Sequence, residues 1–104
     1  MIAANCTLAA TNHETKDPNQ FIRDQRFMSS KGGIVIEDDV WIGANSVLLD
    51  GTHVGRGAVI GACSLVRGKV EPFTYVGGNP LRLLGQREGK QSMAERLGPA
   101  GSIE

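Results

Sequence analysis

Two histidines and two cysteines are the side chains here best suited to reaction chemistry near neutral pH, and their settings differ. An imidazole titrates near pH ~6.5, so it can take a proton from a hydroxyl or amine. His13 stands in the phrase TNHETKDPNQ, where a repeat-like apolar stretch gives way to a long polar segment. Loops carried on rigid scaffolds commonly hold reactive groups, which makes His13 the candidate general base. His53 directly precedes Val54, a member of an aliphatic row, and strand alternation turns it outward to the surface. Cys6 and Cys63 lie in no CxxC or other metal-ligand spacing, and neither has a histidine close by in sequence. They read as free thiols, not as nucleophiles. A zinc centre of three histidines would need more imidazoles than this chain can bring together, so no metal is expected.

The elements that must position His13 come from the rest of the chain. It has 104 residues, with eleven Lys+Arg against eleven Asp+Glu and 40% apolar residues, which fits one small soluble domain. Balanced charge leaves no electrostatic footprint for nucleic acid. No apolar run approaches the roughly 18 residues of a membrane span, and Met1 to Ala10 carry no basic leader, so a cytoplasmic protein is expected. Glycine supplies 14 residues, about twice the usual share of roughly 7%.

Steps of six from Ile36 meet Ile42, Leu48, Val54, Ile60 and Val66, an unbroken aliphatic row. Four positions after each comes Val40, Ser46, Thr52, Ala58, Ser64 and Val70, all small or β-branched. One position after comes Glu37, Gly43, Leu49, Gly55, Gly61 and Arg67, half of them glycine. A helix would repeat at three and four, and a simple hairpin at two. A period of six suits a short strand plus a corner, with the aliphatic residue inward, the small residue in a crowded corner and glycine allowing the bend. Three units close a triangular coil, which predicts two stacked coils of 18 residues, 36–53 and 54–71, joined by parallel ladders. Residues 12–33 lose the rows and form a polar excursion containing Asp17-Pro18-Asn19 and Lys31-Gly32-Gly33.

These rows resemble the hexapeptide repeat of the left-handed β-helix acyltransferases. The phrases VWIG (Val40 to Gly43) and VGGNPLR (Val76 to Arg82), with IAANCTLAATNH (Ile2 to His13), are similar to the maltose, galactoside and capsular-sugar O-acetyltransferases. The resemblance implies an all-β solenoid, a left-handed parallel β-helix over residues 1–84 interrupted by loop 12–33. A tail at 85–104 would carry a short helix between Gly89 and Leu97, ended by Gly98-Pro99. Members of the family usually have a helical segment and further coils ahead of the stretch matching Met1 to Thr11. The reading here is of a chain lacking that part, a naturally short member or a fragment.

The activity implied is transfer of acetyl from acetyl-CoA, as co-substrate, to a hydroxyl of a sugar or similar small acceptor. His13 occupies the place of the family's catalytic histidine. Trp41, Ala44, Ala62, Gly77 and Gly78 would line the pantetheine groove, and Arg82 with Arg67 or Lys69 would meet the phosphates. The family often has Thr-Lys-Asp where this chain has Arg67-Gly68-Lys69, which shifts the positive charge by a residue. Backbone groups near Gly43 and Ala44 would stabilise the oxyanion. So few coils bury their ends poorly, which predicts an oligomer; the resemblance makes it a homotrimer with the site between subunits. The alternative is a non-catalytic β-helix trimer that binds CoA without turnover.

Overall fold

A computed structural model describes residues 1–87. Ten short strands make three narrow faces. β1 (Thr7–Ala9), β4 (Val47–Leu49) and β7 (Leu65–Val66) form one face; β2 (Val35–Ile36), β5 (His53–Val54) and β8 (Lys69–Val70) form the second. The third holds β3 (Trp41–Ile42), β6 (Val59–Ile60), β9 (Thr74–Gly77) and β10 (Arg82–Gln86). Every pairing is parallel except β9 with β10, which closes the solenoid as an antiparallel edge. The expected helix between Gly89 and Leu97 lies outside the described residues.

The aliphatic row is the core. Ile42, Leu48, Val54, Ile60 and Val66 are all buried, stacked as Ile42 on Ile60 and Leu48 on Val66. The small row is buried as well, and its hydroxyls are satisfied: Ser46 Oγ donates to the Gly61 carbonyl at 3.1 Å and Thr52 Oγ1 to the Val66 carbonyl at 3.1 Å. A larger side chain would fill the corner, and an unbonded hydroxyl there would be costly.

Two expectations need correcting. The coil starting at Ile36 advances 18 residues, as Ile36 pairs with Val54, but the next advances only 16, since Val54 pairs with Val70 and Ile60 with Val76. Val70 therefore takes an inward row position instead of a small-residue corner. The turn from β7 to β8 is cut short at Gly68, whose φ of 71° lets Val70 follow Val66 after only three intervening residues.

The second correction concerns the bends. Left-handed backbone occurs at three corners, three positions after an inward aliphatic residue except at Gly33, where the excursion rejoins, and at Gly68, two positions after Val66. The first corner has Asn5, Asn45 and Cys63; the second Gly33, Gly51 and Gly68; the third Asp39, Gly57 and Phe73. Asparagine, aspartate and glycine tolerate this region best, which explains most of these choices. The glycines one position after the row have another duty. A Cβ on Gly43 would lie 2.5 Å from the Ala62 nitrogen, so its absence lets one coil settle on the next.

Candidate active site

The excursion leaves the solenoid after β1 and returns at β2, on the second corner. Its two legs are tied at the root: the Glu14 N–H donates to the Arg26 carbonyl at 2.8 Å, and the Met28 N–H to the Asn12 carbonyl at 2.7 Å. Between these bonds His13 faces Phe27 as an antiparallel bridge. In such a pair the side chains lie on one side and approach closely. The imidazole and the Phe27 ring stand 5.0 Å apart, tilted by 56°. His13 Nδ1 lies 3.1 Å from the Glu14 carbonyl oxygen. A carbonyl only accepts, so this hydrogen bond requires Nδ1–H and leaves the lone pair on Nε2.

A second anchor fixes the returning leg. Buried Asp50 follows β4 and accepts at Oδ2 from the Lys31 N–H at 2.7 Å, and at Oδ1 from the Gly33 N–H at 2.9 Å and Ser30 Oγ at 3.4 Å. The Lys31 N–H is the main reason its carboxyl sits below the usual aspartate range; burial opposes this, and the Gly33, Ser30 and Gly51 donors add to it. Sequence reading missed Asp50. Its signal was one coil of spacing: Asp50-Gly51 falls 18 residues after Gly32-Gly33, where the excursion rejoins.

An open cleft of about 380 Å³ lies at this corner, lined by Asn12, His13, Thr15, Met28, Lys31, Leu49, Asp50 and Arg67. Arg67 thus stands with His13. Lys69 and Arg82 instead border a separate cleft of about 530 Å³ at the end of the last coil. Lys69 also lies 3.9 Å from the Glu71 carboxylate.

The proposed pantetheine residues gather mostly at the first corner. The Cys63 N–H donates to the Ala44 carbonyl at 2.9 Å, and the register of Ile60 with Val76 carries Gly77 and Gly78 over Gly61 and Ala62. Ala44, Ala62 and Gly78 thereby form a ladder of small residues. Of the expected oxyanion donors, the Gly43 N–H is already bonded to the Ile60 carbonyl at 2.7 Å. Trp41 stands on the third face, 54% exposed, in register with Val59 and Tyr75. Its cleft, about 420 Å³, is also lined by Met1, Asp39 and Arg87.

The remaining candidates are structural. The Cys6 thiol donates to the Gly43 carbonyl at 3.2 Å, and Cys63 is exposed at its corner. His53 faces outward and bonds the Glu37 carboxylate. That bond, then the Arg56 N–H, holds Glu37 below its usual range. Among the described residues, no group of three or more His, Cys, Asp or Glu is placed to hold a metal ion, and no helix is long and apolar enough to cross a membrane.

Comparison with known proteins places this architecture. Residues 33–68 match the family described as bacterial transferase hexapeptide (six repeats). A chloramphenicol acetyltransferase of Escherichia coli is 42% identical over 66 residues, covering 64% of this chain and 31% of that enzyme. Among solved structures, a maltose O-acetyltransferase of Clostridium difficile 630 is 31% identical with a TM-score of 0.74, covering 86% of this chain and 46% of that one. A hexapeptide-repeat acetyltransferase of Vibrio cholerae, complexed with acetyl coenzyme A, is 34% identical with a TM-score of 0.67, covering 83% and 44%. The fold is the left-handed parallel β-helix. Residues 33–68 carry the repeat of the bacterial hexapeptide transferases. It spans about three tenths of the length of the curated relatives it matches.

Proposed function

We propose that this β-helix transfers an acetyl group from acetyl-CoA to a hydroxyl of a small acceptor, a sugar or a similar molecule, with His13 as general base. The observation that carries the reading is the held imidazole: Nδ1 occupied by the Glu14 carbonyl, the ring against Phe27, and a cleft in front. In the reaction Nε2 takes the acceptor hydroxyl proton while the oxygen attacks the thioester carbonyl. The tetrahedral intermediate then expels the CoA thiolate, which recovers the proton from the imidazolium. No covalent enzyme intermediate is needed. The Ala44 N–H is the oxyanion donor in this scheme, since the Gly43 N–H is spent on the coil.

His13 and the Ala44 ladder sit at opposite ends of β4. Asp50 follows Ala44 by six steps of the chain, a span of at most roughly 20 Å at ~3.3 Å per residue. A site using both corners is therefore best completed by packing the first corner of one copy against the second corner of the next. Repeated head to tail about an axis, such a contact closes a ring, and the resemblance to the hexapeptide-repeat acyltransferases makes that ring a homotrimer with three equivalent sites. Along the seam, Trp41, Ala44, Ala62, Gly77 and Gly78 are assigned to the pantetheine arm, and Lys69 with Arg82 to the phosphates. Of the two alternatives beside Arg82, this reading takes Lys69, which borders the same cleft as Arg82, over Arg67, which lines the His13 cleft. The soluble, cytoplasmic setting of acetyl-CoA is consistent with this chemistry.

The test is thiol release from acetyl-CoA with a panel of sugars and chloramphenicol, on protein whose mass in solution has been measured. His13→Ala is expected to lower kcat by about 10²–10⁴, the usual worth of a general base. An unchanged rate would remove His13 from the mechanism. Tight CoA binding with no turnover on any acceptor would instead favour a scaffold without catalysis.

A further inference from the structure

Arg67 is where chain and resemblance part company. Both Arg67 and Lys69 were candidates for the phosphates of CoA, yet Gly68 turns the backbone between them and sends them to different clefts. Arg67 shares its cleft with His13 and with Lys31, the residue at which the excursion returns. Neither cation forms an ion pair among the described residues.

The cleft also contains one carboxylate, Asp50, which could have neutralised them. Both of its oxygens face the returning leg of the excursion, where they accept the two N–H groups and the hydroxyl described above. Its charge is thus committed to holding backbone, while the Arg67 guanidinium and the Lys31 ammonium keep their donors for a ligand. A guanidinium matches a carboxylate or phosphate through two parallel N–H···O bonds, a geometry a neutral sugar cannot supply.

We infer that the His13 cleft is built for an acceptor carrying an anionic group, a carboxylate or a phosphate, beside the hydroxyl to be acetylated. Arg67 is the specificity-determining residue and Lys31 its partner. This rests on the reading of His13 as the base, because the anion sets the hydroxyl before Nε2. The same oxyanion chemistry is present in the phosphates of CoA, so the experiment must separate the two sources.

Binding can be read without turnover by following the His13 ring signals in NMR titrations with galacturonate and with galactose, which differ by one carboxylate. Galacturonate is expected to bind at least about tenfold more tightly, as a charge-assisted hydrogen bond worth ~1.5–3 kcal/mol implies. Arg67→Gln should bring the two sugars to parity, Lys31→Gln should reduce the difference in part, and affinity for CoA should stay within about twofold in both. Equal affinity of the natural protein for the two sugars would overturn the proposal. So would an Arg67→Gln protein that loses affinity for CoA but not for 3′-dephospho-CoA, which would return the arginine to the co-substrate phosphate. Discrimination that survives both substitutions would place the anion elsewhere. Arg67-dependent binding of galacturonate in a protein that acetylates nothing would keep the subsite and discard the catalytic reading of His13.

Discussion

The first and second corners of the prism begin from the same local rule and end as different kinds of surface. At the first, Ala4, Ala44 and Ala62 precede left-handed Asn5, Asn45 and Cys63, and each coil repeats the one before it. At the second, the repeat is interrupted twice: by the excursion between Ala9 and Val35, and by the shortened turn at Gly68. Regular stacking yields a ladder of small residues and backbone. Interruption yields a cleft with an imidazole, a carboxylate and two cations. The contrast suggests that repetition provides rigidity and that departures from it carry the chemistry, since a side chain that breaks the row has no neighbour above it to match.

The largest expected effect comes from disturbing the regular corner. Gly43→Ala puts a Cβ into the backbone of the next coil at Ala62, where no flexible side chain can give way. A loss of about 3 kcal/mol is expected from such overpacking, read as a lower midpoint in denaturant, with dissociation of any oligomer. A midpoint equal to that of the natural protein would mean the coils do not stack this closely.

The irregular corner should respond through the excursion instead of the core. Asp50→Asn removes the charge that holds Lys31 and Gly33, and tryptic cleavage at Lys16, Arg23 or Arg26 is expected to become several-fold faster with little change in the global midpoint. Its pH dependence follows from the lowered carboxyl. A carboxyl whose pKa falls on folding stabilises the fold at pH values above its unfolded pKa, and that contribution is lost as pH falls through the folded one. Amide exchange at Lys31 and Gly33 should stay protected at pH ~5 and open only below about pH 4, the usual aspartate range. In Asp50→Asn that acid step should vanish; a step that persists would assign it to another group.

Smaller effects distinguish the corners by their left-handed residues. Gly68→Ala meets no atom within 4 Å, so only its backbone conformation is penalised, by about 1 kcal/mol. Cys63→Asn extends the asparagine pattern of Asn5 and Asn45 and should raise stability by about half a kcal/mol. Thermal melts of the two variants check both signs.

The row of six was legible because it is enforced locally: each aliphatic residue of the row must enter the same narrow interior, and Ile42, Leu48, Val54, Ile60 and Val66 all do. The position of His13, at the root of the excursion, was legible from the edge of the broken pattern, while its role as base stays a proposal. The bends were misplaced because glycine has two uses. Gly43 is small for the sake of the next coil, whereas Gly51 and Gly57 carry the left-handed backbone that Asp39 and Asn45 carry elsewhere. Residue type alone does not distinguish these uses; the folded coil assigns close approach to the position one after the row and the bend to the position three after it.

Periodicity in the chain was enough to specify a three-sided solenoid, its inward row and the point where an excursion departs, since those follow from which side chains must leave water. Which residues meet across that point required the folded coils. The capture of Lys31 and Gly33 by Asp50, the parting of Arg67 from Lys69, and the packing of His13 on Phe27 all arise between segments separated in sequence or from one turn at Gly68. Stacking one coil on another converts a difference of two residues in a turn into a different corner of the molecule, so hydrogen bonds and charge are allocated there by register.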